Sequence, residues 1–157
     1  MTARALTAGE WSALSPGLEA ALGARNVTPQ IEDRPHFAAH LARWRYRRVP
    51  ILALGSTIWW PNARADFSGA KQMAVLQHEL QHVLDFAEGR LTAFGYLTRP
   101  SNWTYRWKLA ETLDWSRLGA EQRASVAEAL WRAERSGDHA AVERLRNVIP
   151  WARPRRD

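Results

Sequence analysis

The chain has 157 residues, of which 46% are hydrophobic and 24% charged, as expected for one globular domain with its own core. It contains no cysteine, which excludes disulfides, thiolate metal sites and cysteine nucleophiles, so that any metal must be held by His, Asp, Glu or water. The net charge is +6. Neither a signal-peptide core nor an apolar run of about 18 residues is present, so we expect a cytoplasmic protein without membrane association. Export by a signal-independent secretion machine remains an open alternative.

The first predicted elements are short helices. Thr7 and Glu10 have the spacing of a capping box, with Thr7 as N-cap, and predict a helix that ends near Leu14. After an interruption by Ser-Pro-Gly, Leu18 and Leu22 indicate a second helical turn.

Residues 49–61 form the clearest strand region of the sequence. They are rich in Ile, Leu, Val, Thr and Trp, are broken by Gly55 and end at Pro61. This pattern predicts one strand before the glycine and one after it, consistent with a hairpin. The following loop offers Asp66 or Ser68 as the cap of the next helix.

The strongest predicted helix covers residues 70–87, where apolar residues recur at helical spacing and Gly89 follows as a stop signal. Residues 90–102 are predicted to be a loop. Two further helices are predicted over residues 120–137 and 138–150, and Asp138 is expected to cap the second. We therefore expect an α+β domain over residues 1–150, mostly helical with a short strand region before helix 70–87, and a basic C-terminal tail over residues 151–157.

Helix 70–87 carries the sequence His78-Glu79-Leu80-Gln81-His82. Residues four apart lie on one helix face, so the two imidazoles can bind one ion. Glu79 then projects near a metal-bound water without being a ligand, which is the HExxH arrangement of zinc metalloproteases. Zinc lowers the pKa of that water to about 7, Glu79 accepts the proton, and the hydroxide attacks a peptide carbonyl. The alternative is that His78 and His82 are structural histidines beside an apolar stripe.

A catalytic zinc site needs a third protein ligand. His139 is the one histidine after His82 and is distant in sequence, so the ligand should be a carboxylate. The candidates are Glu88, Glu111, Asp114, Glu121 and Glu128. Glu88 lies so close to His82 on the same helix that it cannot easily turn toward the metal.

The sequence also resembles a known family. The segments HELQH at 78–82, YRWKL at 105–109 and EQRA at 121–124 are similar to the HExxH helix, the aromatic-x-aromatic-x-Leu segment and the E-Q-x-A helix of Vgr-related small bacterial proteins. These proteins are similar to the metallopeptidase domain in toxins of contractile-injection and type VI secretion systems. The resemblance covers residues 6–150, and Trp107 stands where the family often has tyrosine.

The resemblance implies a small zincin-like fold of the gluzincin type that binds Zn²⁺. It makes Glu121 the first choice for third ligand, with Glu111 as the alternative. Tyr105 is a candidate for stabilising the oxyanion of the scissile carbonyl, and Asp85 for accepting a hydrogen bond from a zinc-bound imidazole. A structural tyrosine and a surface aspartate are the competing interpretations.

Three functions remain open from the sequence. The first is a zinc-dependent metallopeptidase or amidase acting on a peptide or protein substrate. The second is a non-catalytic zincin-fold accessory protein that contacts secretion-system components. The third is a nucleic-acid-binding module that uses the arginines among aromatic residues at positions 42–48, although a solvated basic face is the favoured interpretation of that segment.

Overall fold

The computed structural model describes residues 3–37, 39, 50–63, 67–108 and 113–153, which form an α+β fold. The strands are β1 (Arg4–Ala5), β2 (Gln30–Glu32), β3 (Leu52–Leu54) and β4 (Thr57–Trp59). The helices are α1 (Ala8–Ser12), α2 (Pro16–Ala24), α3 (Ala70–Ala87), α4 (Ala93–Thr98), α5 (Ala120–Ser136) and α6 (His139–Val148). Short 3₁₀ turns lie at Pro100–Trp103, Trp115–Arg117 and Pro150–Ala152.

The four strands form one sheet in the order β1-β2-β4-β3. The β2–β4 pair is parallel, and the other two pairs are antiparallel. β3 and β4 form the predicted hairpin, and its turn requires Gly55, whose φ of 61° lies in the left-handed region that favours glycine. Among the described residues β3 has a strand neighbour on one side only, and it packs against α3.

Helix α3 has the predicted bounds and is buried on most of its surface. Twelve of its 18 residues are buried, including Leu76, Leu80 and Leu84 of the main hydrophobic core. The predicted cap is different, because Gly69 occupies the N-cap position without a side-chain hydrogen bond, and Asp66 lies outside the described residues. Gly89 ends the helix as predicted, with a φ of 69°.

Helices α3 and α5 pack along each other, and this contact places the site described below. Ala124 and Ala127 of α5 are fully buried, and such small side chains permit two helix backbones to approach closely. The far side of α5 packs with α6 around Val126, Leu130 and Leu145 in a second core cluster. The predicted α5 and α6 are confirmed, with Gly137 in the left-handed region after α5 and the Asp138 side chain capping α6.

Two segments differ from the prediction. Residues 93–98 form helix α4 in a stretch predicted to be a loop, and the Thr92 hydroxyl caps it by accepting a hydrogen bond from the Gly95 N–H at 2.9 Å. A helix of six residues is too short to show an apolar period in the sequence. Trp151, which the sequence assigned to the tail, packs against the core and donates its indole N–H to Gln81 Oε1 at 2.9 Å.

The arginine segment at 42–48 lies outside the described residues. Within the described part of the chain, no helix is both long and apolar enough to cross a bilayer.

The start of the fold is held by Glu10, a fully buried carboxylate in α1. The predicted capping box with Thr7 is confirmed. Glu10 also accepts two hydrogen bonds from the Arg4 guanidinium, at 2.7 and 2.8 Å, and one from the Phe67 N–H at 3.1 Å. Burial opposes ionisation, but these donors outweigh it and lower the pKa of Glu10 below its usual range.

We expect Glu10→Gln to lower the free energy of unfolding by about 2–4 kcal/mol. Glutamine removes the charge of a partly buried ion pair and replaces one of the two accepting oxygens by an NH₂ group, which faces N–H donors. Urea unfolding measures this change. Because the folded pKa of Glu10 is lowered, its contribution is present at neutral pH and is lost as the pH falls below about 4. Glu19→Gln in α2, at an exposed position, is the matched control. An equal effect of both variants would contradict the assignment.

Candidate metal centre

Helix α3 presents His78, Glu79 and His82 in a buried position. His78 is 9%, Glu79 7% and His82 5% exposed, although all three carry polar or ionisable side chains. The two imidazoles lie one helical turn apart, with ring centroids separated by 5.1 Å. Buried ionisable groups need partners or a ligand, and helix α5 faces them.

Glu121, in the first turn of α5, approaches both histidines. Its Oε2 atom lies 3.0 Å from His78 Nε2 and 3.5 Å from His82 Nε2. Two atoms bound at about 2.0–2.1 Å to one tetrahedral zinc ion lie about 3.3 Å apart, so these separations fit zinc ligands. One potential ligand atom from each of the three residues lies within 4.8 Å of the others. We call these residues the His-His-Glu cluster.

The other candidate third ligands lie elsewhere or act differently. Glu88 pairs with Arg25 and Arg90 at the end of α3. Asp114 is exposed and caps the turn at Trp115–Arg117 by accepting from Ser116. Glu111 lies outside the described residues, so the structure does not compare it with Glu121.

Glu128 supports the cluster from two turns further along α5. Its Oε2 atom lies 3.4 Å from His78 Nδ1, while Arg132 donates two hydrogen bonds to Oε1 at 3.0 and 2.7 Å. Glu121 and Glu128 therefore hold the two nitrogens of the His78 ring. The sequence offered Glu128 as a ligand candidate but gave no indication of this contact with the far side of the imidazole.

The predicted role of Asp85 is not observed. Asp85 is fully buried, but it accepts hydrogen bonds from Gln81 Nε2 and Arg123 Nε, both at 2.9 Å. His82 Nδ1 is buried without a hydrogen-bond partner among the described residues. Asp85 therefore joins α3 to α5 through Arg123 and does not orient His82.

Two tyrosines border the cluster. Tyr96, on the unpredicted helix α4, donates its hydroxyl to Glu121 Oε1 at 2.5 Å, and its ring lies 6.3 Å from that of His82. Tyr105 is 50% exposed, and its ring is stacked 6.1 Å from that of His78. Tyr105 thus lies beside the cluster at the surface, while Tyr96 holds the second oxygen of Glu121. Because residues 90–102 are predicted from the sequence to be a loop, Tyr96 is not among the predicted site residues.

The first turn of α5 is fixed by close backbone contacts. Asn102 Oδ1 accepts from the Ala120 N–H at 3.2 Å, and Gln122 Oε1 accepts from the Gly119 N–H at 2.9 Å. A Cβ atom on Gly119 would lie 1.9 Å from the Ser101 carbonyl oxygen, so this position admits glycine alone. These two helix-end N–H groups donate to Asn102 and Gln122 and not to Glu121, whose carboxylate contacts the imidazoles and Tyr96.

The contacts between the imidazoles and the carboxylates change the protonation of the cluster. Burial disfavours a proton on His78, but hydrogen bonds to Glu121 and Glu128 outweigh burial and raise the pKa of His78 to about 10. Burial also opposes ionisation of Glu121, yet the two imidazoles hold its pKa well below its usual range. These shifts favour an anionic carboxylate beside a bound positive charge, which a divalent cation can supply in place of the proton.

Glu79 differs from the other carboxylates of the site. Among the described residues no donor makes a hydrogen bond to it. Burial, which exceeds the opposing effect of the two imidazoles, raises the pKa of Glu79 above its usual range. A carboxylate with a raised pKa is a stronger base than an ordinary glutamate and is therefore suited to accept a proton.

Comparison of the chain with protein-family models, with curated proteins and with solved structures finds no match in any of the three.

Proposed function

We propose that the chain is a zinc-dependent hydrolase of the HExxH type that cleaves a peptide or related amide bond. His78, His82 and Glu121 are the metal ligands and Glu79 is the general base. The observation that carries the proposal is the approach of Glu121 Oε2 to within 3.0 and 3.5 Å of the two Nε2 atoms. Glu121 is 43 residues from His78, so the sequence motif alone does not account for this approach.

The donor set suits zinc better than magnesium or calcium. Two imidazole nitrogens and one carboxylate oxygen are the ligands of gluzincin-type sites, whereas the alkaline-earth ions prefer oxygen ligands alone. Bound zinc would polarise the substrate carbonyl and acidify water. Glu128 and Tyr96 would keep their contacts with His78 and Glu121, and so hold two of the three ligands in orientation.

Glu79 would carry the proton in this reaction. It accepts the proton from the attacking water as the oxygen forms its bond to the carbonyl carbon, and then delivers it to the leaving nitrogen as the carbon–nitrogen bond breaks. Both transfers need a carboxylate that is no ligand of the metal, and Glu79 is buried beside the two histidines without being one of the three clustered ligands. No described residue donates a hydrogen bond to Glu79, as suits a carboxylate that accepts its proton from water.

Tyr105 is the proposed oxyanion donor. It lies beside His78 and is half exposed, where a bound substrate can meet its hydroxyl. Strand β3, next to α3 and with one strand neighbour among the described residues, offers main-chain groups for pairing with an extended peptide. The proposal includes a zincin-like fold, a relation to Vgr-related proteins and secretion-system partners, which rest on the sequence resemblance.

We expect purified wild-type protein to hold about one zinc ion per chain, because three ligands converge on one point. His78→Ala and His82→Ala should each weaken zinc binding by more than about 100-fold, since losing a residue that merely supports a ligand already costs up to that much. Elemental analysis and chelator competition, on protein made without chelator or nickel resin, measure both effects. His139→Ala, at an exposed position, is the control. A wild type that cannot be loaded with zinc would refute the ligand assignment.

Glu79→Gln should retain zinc and the fold but reduce hydrolysis by a factor on the order of 10²–10⁴, because glutamine keeps the shape but cannot accept the proton. The assay is cleavage of a quenched fluorescent peptide library by the zinc-loaded variant. Glu143→Gln on the exposed face of α6 removes the same charge elsewhere. Full activity of the Glu79 variant would reject the general base. A zinc-loaded wild type that cleaves nothing would favour the non-catalytic accessory role.

Glu121→Gln should weaken zinc binding strongly, because the site loses an anionic ligand that contacts both imidazoles. Glu111→Gln should leave zinc affinity nearly unchanged and alter stability by no more than about 0.5 kcal/mol. Zinc titration against a competing chelator compares the two variants. A large loss at position 111 with none at 121 would transfer the third ligand to Glu111.

A further inference from the structure

A second candidate site lies in a cleft of about 880 Å³ near the start of α5. The turn after α3, the ends of α4 and α6, and the two 3₁₀ turns around Pro100–Trp103 and Trp115–Arg117 surround it. Its lining includes five arginines and one aspartate, Asp114, so we call it the arginine cleft. The arginines are Arg90, Arg99, Arg117, Arg123 and Arg153. None of the residues of the His-His-Glu cluster lines it.

The charges of the cleft are only partly balanced. Arg123 is paired with Asp85, and Arg90 shares Glu88 with Arg25. The side chains of Arg99 and Arg117 are exposed, and neither guanidinium forms an ion pair or hydrogen bond with a described residue, although hydrogen bonds from Ser116 and the charge of Arg117 lower the pKa of Asp114. Asp114 uses one carboxylate oxygen to accept from Ser116. The cleft therefore presents an excess of guanidinium groups, from separate elements, over carboxylates.

A buried donor on the wall of the cleft is also unsatisfied. Trp115 lines the cleft and is 6% exposed, and its indole N–H has no acceptor among the described residues. An indole nitrogen can only donate, and a buried donor without a partner costs about 1–3 kcal/mol. An oxygen-bearing anion in the cleft would supply a counter-charge for the arginines, and it would change the surroundings of the Trp115 ring.

We propose that the arginine cleft binds an acidic peptide segment, with carboxylates engaged by Arg99 and Arg117. Guanidinium groups form paired hydrogen bonds with carboxylates, and their origin in separate elements suits a ligand with several anionic groups along its length. The volume lies within the range of about 300–1,000 Å³ of sites that enclose a small ligand, so it admits a few peptide residues and not a duplex. Nucleic-acid single strands need exposed aromatic faces for stacking, but Trp115 is buried.

This binding goes beyond the proposed hydrolysis and does not require zinc. The test is fluorescence anisotropy of labelled hexaglutamate with the full chain, both zinc-loaded and metal-free. Absence of binding in both states is failure of the cleft, whereas failure of the metal centre leaves binding unchanged by zinc. We expect binding that weakens as salt is raised, and a loss of roughly tenfold or more in the double variant Arg99→Gln/Arg117→Gln, as for removal of two charge-assisted contacts. The indole N–H signal of Trp115, assigned with Trp115→Phe, should shift on binding.

The control double variant is Arg34→Gln/Lys71→Gln, which removes the same charge from exposed positions that do not line the cleft. It should change the affinity less than twofold, as for distant, screened charges. Equal losses in the two double variants would show that binding follows net charge, and would overturn the proposal. Tight binding of inorganic tripolyphosphate or of a single-stranded oligonucleotide, with none of hexaglutamate, would also overturn the acidic-peptide assignment.

Discussion

A helix that buries polar side chains is stable only if its neighbours supply partners for them. Helix α3 buries six such residues, Gln77, His78, Glu79, Gln81, His82 and Asp85. Helix α5 supplies Glu121 to the imidazoles and Arg123 to Asp85, while Trp151, after α6, donates to Gln81. The same packing that completes the core thus brings together the polar groups of the candidate site. The short sheet under α3 gives this helix a second support.

The charge at this contact would favour a bound cation. Three carboxylates, Glu79, Glu121 and Glu128, surround two imidazoles in a place of low exposure. Negative groups at such distances repel more strongly than in water, because little solvent screens them. Without metal, a proton on His78 relieves part of the repulsion, which is the physical meaning of its raised pKa. A divalent ion would relieve more of this repulsion, and the imidazole nitrogens and carboxylate oxygens would bind it through their lone pairs.

Helices with a long apolar period and clear start or stop residues can be predicted from the sequence. Helices α3, α5 and α6 were predicted in this way. The HExxH spacing placed His78, Glu79 and His82 on one helix, because helix geometry alone decides that arrangement. The choice of Glu121 came from family resemblance, and the structure places it at the histidines. Contacts that depend on tertiary packing could not be predicted from the sequence. Tyr96 lies on a helix too short to show an apolar period. No local sequence pattern indicates that Asp85 contacts a residue of α5.

The separation of the ligands along the chain links metal binding to folding. His78 and His82 come together whenever α3 is helical, but Glu121 joins them only when α5 is packed in place, 43 residues from His78. An ion held by all three binds the native state and not the unfolded chain, so mass action adds its binding free energy to the stability. With free zinc at 100 times its dissociation constant the gain is about 2.7 kcal/mol, a sizeable part of the total for a small domain. Zinc would then act as a removable cross-link between the central and C-terminal helices, and its loss would loosen their contact before the rest of the fold.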